Sequence, residues 1–155
     1  MEVLTKMTPV LTYQDFANGR YFIALNERSK SALEAEISYQ QNRVFSMLMN
    51  EYYSDYNTEP SATKWDKVRE LGLHEMLKDF VYLNFRKTSI YSTSVGNKVN
   101  DAETSTTADN RQLRQQLETY GNDGAEKYNS IVEWMLEDKT NFPDYTNELL
   151  EYKTL

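Results

Sequence analysis

The chain has 155 residues, no cysteine and a formal net charge of −7. This length allows one domain with a substantial core, and the lack of cysteine excludes disulfides, thiolate metal sites and a cysteine nucleophile. The acidic excess lies in residues 101–155, which hold twelve acidic and five basic side chains, and no basic cluster of the kind that binds nucleic acid tightly is present. An acidic surface suits solubility, or a channel wall that DNA passes without sticking.

The beginning of the chain, MEVLTKMTPV, has no basic-then-apolar leader, and no apolar run approaches the ~18 residues needed to cross a bilayer. We therefore expect a soluble protein made inside the cell, with no membrane partner.

Residues 1–20 show no helical period and predict an N-terminal arm or loop. YFIAL, residues 21–25, predicts a short strand or a buried lead-in. A first long helix is expected from a cap at Asn26 or Ser29 to about Tyr53. Its apolar positions recur mostly every three, four or seven residues: Leu33, Ile37, Val44, Phe45, Leu48, Met49 and Tyr52. Gln40 and Gln41 interrupt this stripe and predict a polar neighbour.

Ser61 is the expected N-cap of a second long helix. Its apolar face comprises Trp65, Val68, Leu71, Met76, Leu77, Phe80, Val81, Asn84 and Phe85. Gly72 weakens this helix locally by about 1 kcal/mol relative to alanine. A third helix is expected from Thr107 or Asp109, with a kink or break at Gly121 to Gly124, and Pro143 closes it. A short final helix or a tail follows.

Residues 88–106, TSIYSTSVGNKVNDAETST, resemble neither flanking helix. Gly96-Asn97 suits a tight two-residue turn, and Ser, Thr, Val and Tyr favour strands, so the segment predicts a β-hairpin or extended arm. Both faces of this hairpin are polar, which predicts pairing with a neighbouring subunit or a partner protein. A flexible loop is the alternative.

The sequence contains no signature of a nucleotide-binding, hydrolase or metalloprotease site. Glu70 and His74 lie four residues apart, as in some metal pairs, but a solvated helix face explains them better. Trp65 and Trp134 are expected to be core anchors. We therefore expect no catalysis, no cofactor and no metal.

The fold class expected is mainly α: a small bundle of three long helices, a short C-terminal helix or tail, and the inserted β-hairpin or extended arm between the second and third helices. Residues 1–155 form one domain, with an arm at 1–20, the insertion at 88–106 and a tail at 142–155. The apolar and acidic tail either packs on its own bundle or reaches a partner.

Four passages resemble a known family: YFIAL with the helix LEAEISYQQNRVFSMLMNEYYSDY, the helix WDKVRELGLHEMLKDFVYLNF, the segment TSVGNKVNDAETS, and a third helix with Tyr128-Asn129 before Asn141-Phe142-Pro143-Asp144-Tyr145. Together, from Tyr21 to Tyr145, the chain resembles the head–tail connector (adaptor or neck ring) proteins of tailed bacteriophages, especially phages of Bacteroidetes, including crAss-like phages.

This resemblance implies a non-catalytic virion protein at the neck, forming a ring, commonly of twelve copies, that joins the portal protein to other neck or tail rings. DNA would pass through the ring without specific binding. The expected subunit or partner contacts are Ile90, Tyr91, Val95, Gly96, Asn97, Val99, Phe142, Pro143, Tyr145, Leu149, Leu150 and Tyr152. A possible acidic lumen comprises Glu118, Asp123, Glu126 and Glu133. The alternative is a small helical protein–protein binding module without catalysis.

Overall fold

A computed structural model describes residues 7–96 and 103–151, with side chains for 7–88 and 111–151. Its helices are α1 (Glu27–Met49), α2 (Tyr53–Thr58), α3 (Asp66–Glu70), α4 (Leu73–Gly96) and α5 (Glu103–Glu137). Short 3-10 turns lie at Tyr13–Phe16, Gly19–Tyr21, Asn50–Tyr52 and Thr63–Trp65. The mainly helical class is confirmed, and this part of the chain contains no β-strand.

Helix α1 begins where the sequence predicts, because the Asn26 side chain accepts a hydrogen bond from the Ser29 amide at 2.9 Å. The predicted stripe is buried from Leu33 to Met49, whereas Tyr52 is only partly buried. The polar interruption is explained, because Gln41 accepts a bond from the Val10 amide and donates one to the Thr8 carbonyl. The predicted end near Tyr53 is wrong, since α1 stops at Met49.

A single second helix capped by Ser61 is also wrong. The chain turns at residues 60–61, and α3 ends before Gly72, whose φ of +102° is a conformation that side-chain-bearing residues rarely adopt. Gly72 therefore separates α3 from α4 instead of weakening one continuous helix.

The predicted β-hairpin at 88–106 is replaced by helix: α4 continues through Gly96, and α5 already begins at Glu103. Residues 97–102, including Asn97 of the predicted turn, lie outside the described residues. The physical reason is cooperativity. An existing helix gains one hydrogen bond for each residue it adds, whereas an isolated two-stranded hairpin with polar faces has no surface to pack on. The strand preference of Ser and Thr is too weak to override this gain.

Helix α5 is continuous for 35 residues, so the chain is not broken at Gly121 to Gly124, where the sequence predicts a kink or break. Both glycines instead face α4. A Cβ built on Gly124 would lie 2.9 Å from Cζ of Phe80, and one on Gly121 would lie 3.1 Å from Cδ2 of Leu83. Their missing side chains allow close packing of α4 against α5, which outweighs the helix propensity lost.

One main core joins all the helices, and its members share near-complete burial: Leu11, Phe16, Ile23, Leu33, Ile37, Val44, Phe45, Leu48, Met49, Tyr56, Trp65, Val68, Leu73, Met76, Leu77, Val81, Tyr128, Ile131, Val132, Met135, Phe142 and Tyr145. The N-terminal segment contributes Leu11 and Phe16, so its described part is packed on the bundle. Residues 21–25 do not form a strand, and the predicted burial holds for Ile23, whereas Phe22 is 53% exposed. The segment after Glu137 forms no helix as far as Glu151, and it packs back on the bundle.

Candidate functional site: the helical hairpin and its base

Helices α4 and α5 form a helical hairpin that is longer than the core they share. Their 24 and 35 residues correspond to about 36 Å and about 52 Å at 1.5 Å per residue. Of the hairpin side chains that are described, at 73–88 and 111–137, the main core takes those of α4 up to Phe85 and those of α5 from Tyr128 onward. A second cluster has Leu83 and Leu117 as its buried members. Among residues 111–120, Leu117 is the one buried side chain, so this described stretch is thinly packed.

A buried carboxylate lies at the base of this hairpin. The Asp79 side chain of α4 is 0% exposed; its two oxygens accept bonds from the Tyr21 hydroxyl and the Lys127 ammonium, both at 2.7 Å. Burial raises the pKa of Asp79, against the opposing effect of its two hydrogen-bond partners. Burial and the nearby carboxylate also raise the pKa of Tyr21, which keeps the phenol protonated as a donor.

Arg20 makes a second polar contact on the same side of the hairpin. Its guanidinium pairs with Asp123 and lies 4.5 Å from the centroid of the Tyr120 ring, while its carbonyl accepts a bond from the Tyr120 hydroxyl at 2.8 Å. The Asp123 contact raises the Arg20 pKa further, so the cation persists throughout the ordinary pH range. The rings of Tyr21, Tyr82 and Tyr120 pack together with centroids 4.6–6.1 Å apart.

A cavity of about 390 Å³ lies beside this cluster. Its walls combine apolar and polar side chains: Arg20, Tyr82, Leu113, Gln116, Leu117, Thr119, Tyr120 and Asp123. An open space therefore remains between the hairpin and the N-terminal segment at the place where the two are in contact.

The C-terminal segment is held by side-chain amides. Asn129 donates to the Leu150 carbonyl at 2.9 Å and accepts from the Leu150 amide at 2.7 Å. Asn147 donates to the carbonyls of Met47 and Leu48 at the end of α1. Both amides bind main-chain groups. The bonds from Asn147 satisfy two carbonyls at the end of α1, which a helix end otherwise leaves without partners.

The residues predicted to contact partners are placed differently from one another. Phe142 and Tyr145 are buried in the chain's own core, Leu150 is partly buried, and Pro143 and Leu149 are exposed. Gly96 is the last residue of α4, and Ile90, Tyr91 and Val95 belong to the same helix, with their side chains outside the described part. Asn97, Val99 and Tyr152 lie outside the described residues.

The predicted acidic lumen residues all belong to α5. Glu126 and Glu133 are exposed and seven residues apart, and Glu118 is partly exposed eight residues before Glu126, so the three lie along one side of the helix. Asp123 differs, because Arg20 neutralises it. The proposed negative surface therefore comprises three of the four predicted residues.

The part of the chain that is described holds no cluster of three or more histidine, aspartate or glutamate side chains suited to a metal ion. Glu70 and His74 are on different helices, separated by the break at Gly72, and Glu70 lies 3.6 Å from Lys67. Burial lowers the pKa of His74, so the imidazole is neutral at pH 7. Within the described ranges, no helix has the length and apolar character that a membrane-spanning segment needs.

Sequence reasoning missed Asp79, Arg20 and Tyr21. One signal was present: Asp79 lies three residues after Met76 and four before Leu83, both of them apolar positions of α4. A charged residue at such a position is rarely fully buried unless it is paired. Its partners are 58 and 48 residues away in sequence, so no local pattern identifies them.

Comparison of the chain with models of protein families, with curated proteins and with solved structures found no match.

Proposed function

We propose that the chain is a non-catalytic structural protein that assembles through its helical hairpin. The assembly proposed is a homo-oligomeric ring, commonly of twelve copies, at the head–tail interface of a tailed bacteriophage, between the portal protein and other neck or tail rings. The virion setting is supported by the sequence resemblance alone. The assembly is supported chiefly by one observation, the hairpin that extends beyond the main core.

Two further features favour a structural role. The thinly packed stretch 111–120 gains stability when a neighbour covers it, because Leu117 is its one buried side chain within the subunit. The carboxylates of α5 that have no ion pair within the described part of the chain suit a surface that DNA passes without binding, since like charges repel. Glu118, Glu126 and Glu133 are the proposed lumen residues, and Asp123 is left out because it is paired.

The first experiment measures the mass of the purified chain by native mass spectrometry over a range of concentrations, alone and with the neighbouring portal or neck proteins. A ring appears as a fixed multiple of the 18.2 kDa subunit. In a matched variant, a short Gly/Ser loop replaces residues 90–106 and joins shortened α4 and α5. This variant should keep its helical circular dichroism and lose the ring. A ring that persists without residues 90–106 would refute assembly through the hairpin.

A second variant pair tests the lumen. Glu126→Lys with Glu133→Lys should slow or stop the passage of DNA through assembled particles, while the subunit and the ring remain intact. The control, Glu34→Lys with Glu51→Lys, makes the same change of charge at two exposed positions outside the proposed lumen. If DNA passed equally well through particles of the lumen variant and of the control variant, the acidic-lumen assignment would be wrong.

The other candidate is a small helical protein–protein binding module. One observation favours it: a groove of about 250 Å³ between α4 and α5, with Phe80, Leu83 and Ala125 among its walls. A chain that stays monomeric with every neck protein, yet binds a single partner in a one-to-one complex, would support this function instead.

A further inference from the structure

We propose that the turn Gly19–Tyr21 is a releasable latch that fixes the base of the helical hairpin to the core, so that opening the latch frees the hairpin to move. The latch comprises Arg20 and Tyr21 together with the residues that they contact, which are Asp79, Tyr82, Tyr120 and Asp123. Lys127 is included because it pairs with Asp79. The inference rests on the proposed function only in treating the hairpin as the assembling element.

The position of the latch is the first argument. Arg20 and Tyr21 contact both helices: Tyr21 bonds to Asp79 of α4, and Arg20 pairs with Asp123 of α5. These contacts lie where the main core ends and the small Leu83 and Leu117 cluster begins. The turn therefore supplies, through polar groups, part of the attachment that buried apolar residues supply elsewhere.

The chemistry of the contacts is the second argument. The Arg20 and Asp123 side chains are 47% and 32% exposed, so salt screens their attraction, unlike that of the fully buried Asp79. The stacking of Arg20 on Tyr120 and the bond from the Tyr120 hydroxyl depend on the same short turn. A single displacement of this turn breaks all three contacts together.

The geometry around the turn is the third argument. Gly19 has a φ of +74° and nothing within 4 Å of a built Cβ, and the 390 Å³ cavity adjoins Arg20. Open space therefore adjoins the turn both at Gly19 and beside Arg20. The Gln41 bonds to the chain at Thr8 and Val10 lie outside the latch and need not break when it opens.

The test is native-state hydrogen exchange on the full chain in dilute solution, comparing residues 111–120 of the hairpin with residues 131–135 of the core. Arg20→Gln should raise exchange at 111–120 by about fivefold or more, and change it at 131–135 by less than about twofold. Tyr120→Phe, which removes only the hydroxyl, should give a smaller increase at the same residues. In the natural chain, exchange at 111–120 should rise with ionic strength, and in Arg20→Gln this rise should be lost.

Lys30→Gln is the matched control, because Lys30 also combines an ion pair, with Glu27, and a ring contact, with Tyr13 at 4.8 Å, away from the hairpin. It should leave exchange at 111–120 unchanged. Equal exchange in Arg20→Gln and the natural chain, or a uniform increase that includes 131–135, would overturn the latch. Neither result depends on ring formation, so a failure of the latch and a failure of the proposed function are distinguishable.

Discussion

At the scale of single residues, the buried Asp79 carboxylate determines how much stability a substitution at the base of the helical hairpin costs. Its carboxylate is fully buried and has two donors, Tyr21 and Lys127. A satisfied buried pair contributes little net stability, since desolvation offsets its attraction, but removing one partner leaves a buried charge uncompensated. The cost of a change at this site therefore depends on which partner is removed.

Lys127→Met should lower the free energy of unfolding by about 3–5 kcal/mol at neutral pH. Because burial raises the pKa of Asp79 in the folded state, the fold takes up a proton at a higher pH than the unfolded chain does. Ionisation of Asp79 therefore lowers stability as pH rises through this interval, and protonation restores it. Urea unfolding at several pH values should show the deficit of Lys127→Met shrinking as pH falls.

The control is the double variant Asp79→Asn with Lys127→Met, in which Tyr21 can still donate to the amide oxygen. It should recover part of the stability that Lys127→Met loses, with about 1–3 kcal/mol still missing because the buried amide NH2 has no acceptor, and it should depend little on pH. A double variant as unstable as Lys127→Met alone would show that lost packing, and not an unpaired charge, causes the deficit.

At the scale of elements, the close packing of α4 on α5 depends on Gly124 and the Phe80 ring. Three ring atoms lie within 3.2 Å of a Cβ built on Gly124, whereas Gly121 would meet one methyl group at 3.1 Å. Alanine gains about 1 kcal/mol of helix propensity at either position, and overpacking costs about 1–3 kcal/mol where the neighbour cannot move. The two glycines should therefore respond differently.

Gly124→Ala should destabilise the fold by about 1 kcal/mol, and Gly121→Ala should be near neutral. Thermal unfolding measures both. Adding Phe80→Leu to Gly124→Ala removes the ring edge, so in that background alanine should cost less than in the natural chain. An identical cost with and without the ring would exclude the proposed contact.

The sequence predicts elements well where local signals and packing agree. The α1 start is correct because Asn26 supplies a local cap and the apolar stripe has a core to face. The prediction of a helix break fails at Gly121 and Gly124, where α5 continues and both glycines pack closely against α4. It fails at 88–96 because strand preference is local, whereas the extension of α4 depends on the helix that precedes it.

At the scale of the whole molecule, the C-terminal segment closes the core. Phe142 is 0% exposed, and its ring centroid lies 5.1 Å from that of Tyr52 and 5.2 Å from that of Trp65. The sequence left open whether this segment packs on its own bundle or reaches a partner. In the structure, the described part of this segment packs on the chain's own bundle. The contact between Phe142 and Tyr52 joins residues ninety positions apart, so no local sequence pattern reveals it.

Phe142→Ala should cost about 3–5 kcal/mol of stability, because it leaves a cavity among aromatic rings. Leu149→Ala, in the same segment but 52% exposed, should change stability by less than about 0.5 kcal/mol. Chemical denaturation of both variants measures the difference. Equal small effects would mean that the segment is not part of the cooperative fold.

Three carboxamides hold the two ends of the described chain: Gln41 at the N-terminal segment, and Asn129 and Asn147 at the C-terminal one. A carboxamide both donates and accepts, whereas the carboxylate formed when it loses ammonia only accepts. Slow deamidation would therefore turn each attractive bond to a main-chain carbonyl into a repulsion between oxygens. Deamidation at these three positions should therefore loosen the two ends of the described chain and leave the helices between them in place.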